Sequence, residues 1–153
     1  MSFLEHKIPP PIIGILSAGM MWVIAYYSFQ INPPPMLANS IAGFFLVIGL
    51  LLDSGGLIAF IRQKTTINPL KIETASSLVT RGIYRITRNP MYLGMAFLLT
   101  GFGVWLSTPL AFVGVAFFVG YITRFQIIPE ERALNGLFGE EYRQYCQRVR
   151  RWL

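Results

Sequence analysis

Charge is what this chain has least of. Only 13% of its 153 residues are charged, against 54% apolar, whereas a soluble domain carries about 25% charged residues. With a mean hydropathy of +0.52, that shortage excludes an ordinary water-soluble globule. Cysteine is scarcer still. Cys146 stands alone, which rules out an internal disulfide and a cysteine-cluster metal site. The single histidine, His6, sits near the start and nearly excludes histidine-ligated metals and a histidine general base, so no metal site is expected. The length fits one domain and is too short for a soluble enzyme with a separate dinucleotide-binding half.

What the chain has instead is apolar runs. A helix needs about 20 largely apolar residues to span the hydrocarbon, and four segments qualify: 12–31, 37–61, 90–106 and 109–128. The first runs between Pro9-Pro10-Pro11 and Pro33-Pro34-Pro35, and the second is interrupted by Asp53 and Ser54-Gly55-Gly56. The third is short, which suits a tilted or sheltered helix. Only Ser107 and Thr108 join the third and fourth, so a helical hairpin is expected, with Pro90 and Pro109 each in a first turn. No small-residue cleavage site follows the first run, so an uncleaved first span is expected.

The +6 net charge is distributed by topology. Lys7 precedes the first span; Arg62, Lys64, Lys71, Arg81, Arg85 and Arg88 lie between the second and third; Arg124, Arg132, Arg143, Arg148, Arg150 and Arg151 follow toward the end. By the positive-inside rule both termini, the loop 62–89 and the tail 129–153 are expected in the cytoplasm. Basic residues that follow topology do not suggest a nucleic-acid partner; membrane lipids are the expected surroundings. The fold expected is therefore all-α integral membrane, one domain of about four transmembrane helices, with loop and tail forming the site.

The tail reads as an amphipathic helix, with Leu134, Phe138, Tyr142, Tyr145, Val149 and Trp152 at spacings of three or four. Pro129-Glu130-Glu131 suits its first turn, where carboxylates favour the positive end of the dipole, and Gly136 and Gly139 are candidate bends. In the loop, Arg81, Arg85 and Arg88 would share one face of a helix, either as a basic stripe on lipid phosphates or as a cradle for an anionic cofactor. Asn89-Pro90 is a helix start, with Asn as N-cap and Pro at N1. Tyr92 alone reads as an interfacial tyrosine. Asp53 is the one acidic residue within a span, and either faces a substrate or packs with its small neighbours.

Taken in order, Thr65-Thr66-Ile67-Asn68-Pro69, Leu78-Val79-Thr80-Arg81-Gly82-Ile83-Tyr84, Arg88-Asn89-Pro90-Met91-Tyr92-Leu93-Gly94, and Pro129-Glu130-Glu131 through Leu134 form a set. Phe138-Gly139-Glu140-Glu141-Tyr142, Tyr145 and the ending from Arg148 to Trp152 extend it. With a membrane hairpin between the Arg-Asn-Pro and Glu-Glu blocks, the set resembles the isoprenylcysteine carboxyl methyltransferases and their bacterial and archaeal relatives, a group that includes phospholipid N-methyltransferases.

The resemblance implies methyl transfer from S-adenosylmethionine to a lipophilic acceptor, with loop and tail closing over the cofactor and a lateral opening for the substrate. It also suggests a bacterial or archaeal cytoplasmic membrane. By motif match, cofactor contacts fall on Ser76, Ser77, Leu78, Val79, Tyr84, Asn89, Pro90, Met91, Tyr92 and Glu130. Asn89 replaces the histidine usual in the carboxyl methyltransferases. The family's substrate-facing arginine, about one turn before the glutamate, falls near Gln126, and Arg124 is the nearest arginine. Arg124 and Glu131 are the candidate catalytic residues. The chain is short for the family, so helices that shape a substrate tunnel in longer members are not expected.

Such chemistry suits the composition. A sulfonium is already a good leaving group, and a carboxylate or thiolate acceptor (that of an isoprenoid-like compound is expected) needs no general base. An amine acceptor must lose a proton, which Glu130 or Glu131 would take. The absence of a glycine-rich strand–loop–helix fingerprint argues against the soluble methyltransferases, not against this class. Two other readings stay open at this level: a nicotinamide-dependent membrane reductase of related architecture, and a helical scaffold without turnover.

Overall fold

A computed structural model describes residue 5, residues 7–63 and residues 77–153. The expected cofactor residue Ser76, the Thr65 to Pro69 motif and His6 lie outside the described residues. The regular secondary structure among the described residues is all helical, with no strand: α1 (Pro10–Tyr27), α2 (Pro35–Gln63), α3 (Pro90–Trp105), α4 (Phe112–Ile122) and α5 (Ile128–Arg148). Single turns of 3-10 helix at Gly82–Arg85 and Pro109–Ala111 precede α3 and α4. A π-helical turn, Thr123–Ile127, joins α4 to α5 without a break.

Among the described residues, three helices are long and apolar enough to cross a membrane: Pro10–Tyr27, Pro35–Arg62 and the continuous Pro109–Arg148. Within the last, the apolar stretch up to Ile128 is broken by Thr123, Arg124 and Gln126, and charged residues cluster from Glu130 onward. The fourth, α3, has 16 residues and at 1.5 Å per residue is about 24 Å long. It is the sheltered helix that its length predicted, packed against α2 on one side and α1 and α4 on the other.

α1 ends at Tyr27 rather than running to 31. Its continuation is extended because backbone groups find partners in the α3–α4 link: the Ile31 amide donates to the Ser107 carbonyl (2.8 Å) and the Thr108 hydroxyl to the Phe29 carbonyl (2.9 Å). The tight hairpin is present, with Ser107 in a left-handed turn (φ 53°). These bonds gather the α1–α2 and α3–α4 links at one end of the bundle.

The α2–α3 seam depends on small residues, as close helix packing in membranes does. A Cβ on Gly94 would collide with Asp53 Oδ1 and stand 2.7 Å from the Gly49 carbonyl, and one on Gly49 would stand 2.9 Å from the Gly94 carbonyl. Asp53 thus points into the helix seam with Oδ1 buried and unpartnered. Gly94→Ala forces the helices apart. A loss of about 1–3 kcal/mol is expected, read as a lowered unfolding midpoint in detergent, and an unchanged midpoint would refute this packing.

The tail differs from one smooth amphipathic helix. α5 kinks at Gly139, whose backbone (φ 48°, ψ −117°) is left-handed, one of the two glycines expected to bend it. Beyond Arg148 the chain is extended, and Tyr142, Tyr145 and Val149 form a small buried cluster with Leu78 and Leu134 packed on it.

Candidate functional site

The loop, the α3 start and the tail converge at the end of the bundle away from the two links. The loop stripe does not form the helix expected of it. Its local structure is one 3-10 turn at Gly82–Arg85, opened by Gly82 at φ 63°. Arg81, Arg85 and Arg88 therefore share no common face. Arg88 turns inward, and its side chain is 14% exposed.

Asn89 occupies the N-cap position of α3 with Pro90 next, but its side chain makes no cap bond. Its Nδ2 donates instead to the Arg151 carbonyl (2.9 Å), beside the Thr87 hydroxyl on the same oxygen (3.2 Å). The Arg88 amide donates to the Arg150 carbonyl (3.0 Å). The Trp152 indole reaches the Thr123 hydroxyl (3.2 Å). The last residues are thus a strap that crosses the start of α3 and ends against the π-helical turn. A side chain that would otherwise cap its own helix serves better here, since the strap brings a carbonyl that needs a donor.

Two acidic residues adjacent in sequence have different surroundings. Glu131 is gripped by two guanidiniums. Arg151 donates from Nε to Oε1 (2.9 Å) and from Nη2 to Oε2 (2.7 Å), and Arg88 Nη2 lies 3.1 Å from Oε1. Arg88 also donates to Cys146 Sγ. Glu130 faces the other way. It accepts from the Tyr92 hydroxyl (2.5 Å), and Tyr84 is near enough to feel its charge. No cation is paired with Glu130 among the described residues.

Packed protein atoms strip water from the Glu130 carboxyl and push its pKa from 4.5 up to about 8. The Tyr92 hydrogen bond opposes that rise, and the neighbouring Glu131 charge adds to it. The folded protein then holds a proton that the unfolded chain releases between pH 4.5 and 8. Stability therefore falls as pH rises through that window, by at most about 1.4 kcal/mol per pH unit. Glu130→Gln removes this slope. Thermal unfolding in detergent should show the variant equal to the parent near the acid end of that window and more stable at its alkaline end. Parallel curves would refute it.

Among the remaining expected cofactor residues, Val79, Tyr84, Pro90 and Tyr92 are buried, Leu78 and Met91 are partly buried, and Ser77 is exposed. Tyr84 is fixed from two sides: its ring meets Phe60 edge-on (5.6 Å between centroids), and its carbonyl accepts from the Tyr145 hydroxyl (2.7 Å). Met91 lies against Gly56 of α2.

The two expected catalytic residues are not brought together. Arg124 has a side chain 57% exposed and lies 3.7 Å from Glu5, to which Arg132 also donates (2.8 Å). Gln126 points into the core and donates to the Ile8 carbonyl (2.8 Å). The cause is the π-helical turn, whose wider i→i+5 spacing shifts the facing of residues between α4 and α5. Counting at 3.6 residues per turn misses that shift. Sequence reading also missed the Arg88–Glu131–Arg151 clamp. The available signal was that Arg88 and Arg151 each belong to a motif block, one at each side of the hairpin.

A sequence model of a family described as phospholipid methyltransferase matches residues 37–141. Protein-S-isoprenylcysteine O-methyltransferase B of Arabidopsis thaliana is 32% identical over 104 residues, covering 68% of this chain and 53% of that protein. The human protein-S-isoprenylcysteine O-methyltransferase is 38% identical over 73 residues, 48% of this chain and 26% of that protein. An uncharacterized protein of Haemophilus influenzae is 48% identical over 63 residues, 41% of this chain and all of that protein. The match spans about half the length of the Arabidopsis relative. No solved structure matches the chain.

Proposed function

The chain belongs to the phospholipid methyltransferase family, and we propose that it transfers a methyl group from S-adenosylmethionine to a lipophilic acceptor at the membrane. The observation that carries this reading is the Tyr92–Glu130 pair, a desolvated carboxyl beside Tyr84 with a hydroxyl donor and, among the described residues, no paired cation. Such a group suits a ligand with an ammonium group and ribose hydroxyls. Glu130, Tyr84 and Tyr92 would hold that ligand, with Ser76, Ser77, Leu78, Val79, Asn89, Pro90 and Met91 completing its surroundings by motif match. When bound, it supplies an electrophilic methyl on a sulfonium.

The chain's own contribution is then position and exclusion of water. The strap and Leu78 close the site over the α3 start. A carboxylate or thiolate acceptor, such as that of an isoprenoid-like compound, requires no base. An amine acceptor would give its proton to Glu130 Oε2, the oxygen not engaged by Tyr92. Glu131 has both oxygens in ion pairs, so we assign it a positioning role between loop and strap. Arg124 contributes to acceptor binding only from the exposed surface it shares with Glu5. Both termini, the loop and the tail face the cytoplasm in this reading, on the charge distribution that motivates it.

The test is incubation of the purified full chain with lipid extract and methyl-labelled S-adenosylmethionine, followed by mass spectrometry. A labelled lipophilic product is expected. Preference for NADPH binding, or cofactor binding with no labelled product from any extract, would overturn the reading.

A further inference from the structure

We infer that a second site, separate from the Tyr92–Glu130 pair, binds the phosphate of an anionic phospholipid headgroup. A cavity of about 550 Å³ lies between the 3-10 turn and the end of α5, with Arg81, Arg85 and Arg148 on its wall beside Thr80 and Tyr145. It shares no lining residue with the proposed cofactor site, and among the described residues no acidic side chain lines it. The three arginines come from two segments far apart in sequence. The buried Tyr145–Tyr84 hydrogen bond (2.7 Å) clamps those segments together and so builds the cavity.

None of the three guanidiniums is paired with a carboxylate among the described residues. Arg88, the third member of the sequence stripe, is committed to Glu131 (3.1 Å), and among the described residues Arg148 donates to the Gln144 carbonyl of its own helix (3.2 Å). Three unpaired guanidiniums around one cavity repel one another and favour a multiply accepting anion, and their planar forks match phosphate oxygens.

Depth selects the lipid as the source. The 3-10 turn rests on α2, with Ile83 against Gly55 and Tyr84 against Phe60. That is the last two to three turns of a span ending at Gln63, about 12 Å from Gly55 along the helix. The bilayer's headgroup layer is about 5–8 Å thick on each side of the hydrocarbon, so the Phe60 level, about 5 Å from Gln63 along the helix, lies within it and the Gly55 level just beneath it. A headgroup phosphate reaches this level without leaving the membrane.

The test uses the full chain in nanodiscs of equal parts phosphatidylcholine and phosphatidylglycerol, with lipid retained after detergent extraction counted by native mass spectrometry. Preferential retention of phosphatidylglycerol is expected. Arg81→Gln/Arg85→Gln/Arg148→Gln should weaken it on the order of a hundredfold, about fivefold for each arginine near an anionic surface. Arg62→Gln/Arg143→Gln/Arg150→Gln removes the same charge elsewhere and should leave it within a few fold. Arg81→Lys/Arg85→Lys/Arg148→Lys checks folding and should retain most of the binding. Equal losses in the two glutamine triples, or no preference for phosphatidylglycerol, would overturn the site. Tighter binding of inorganic phosphate than of phosphatidylglycerol by the chain in neutral detergent would overturn its assignment to a headgroup. None of these readouts depends on methyl transfer.

Discussion

Glu130→Ala is expected to weaken S-adenosylmethionine binding by about ten- to a hundredfold, the loss that follows removal of a charged hydrogen-bonding partner. Tyr92 holds Glu130 Oε1 at 2.5 Å, so Tyr92→Phe should lose less and Tyr92→Ala more, since the ring also fills the core beside Ala96 and Leu99. Titration calorimetry on the purified protein measures all three. The proton on Glu130 supplies a second readout. With its pKa at about 8, the free site is largely neutral at neutral pH, and a cationic ligand must displace that proton. Affinity should therefore rise with pH up to about 8 in the parent and stay flat in Glu130→Gln. Unchanged affinity in Glu130→Ala, or no heat from a folded parent, would remove the cofactor assignment.

Glu131→Ala is expected to act on the fold before the chemistry. It leaves Arg88 and Arg151 without their shared carboxylate, and the Arg88 side chain is 14% exposed. Removing one partner of a buried pair costs about 3–5 kcal/mol. Partial solvent access at Glu131 (19% exposed) and Arg151 (37% exposed) reduces that to about 2–4 kcal/mol. The strap should loosen with it, because Arg151 also presents its carbonyl to Thr87 and Asn89. Hydrogen exchange at the Arg88 amide, bonded to the Arg150 carbonyl, should accelerate. Glu131→Gln keeps the acceptor and should recover part of the stability. If Glu131→Ala instead left unfolding and exchange unchanged while abolishing turnover, Glu131 would be a catalytic residue rather than a positioning one.

Much of this arrangement was legible in the sequence, for identifiable reasons. Apolar runs long enough to span a bilayer have few alternatives to helix, because buried backbone groups must be bonded within the segment. Pro90 and Pro109 begin helical turns and Gly139 bends α5, as their backbone chemistry requires. The ordered motif blocks carried the family. Less legible were features that depend on partners distant in sequence. Asn89 has the form of a cap, yet its donor goes to a carbonyl 62 residues away. Arg88 has the form of a stripe residue, yet it is buried on Glu131.

The scarcity of charge determined the class of this protein by itself: a helical chain suited to a membrane, with its polar residues gathered in one loop and one tail. Only the tertiary structure decided which of those charges face each other. Adjacent Glu130 and Glu131 are equivalent by composition, but successive residues on a helix point about 100° apart. One therefore meets two guanidiniums across the strap, and the other meets a tyrosine hydroxyl in a dry pocket. The π-helical turn made a similar choice between Arg124 and Gln126, placing the charge outside and the amide inside. Desolvation and pairing operate over a few ångströms in space, and the order of residues along the chain does not contain those distances.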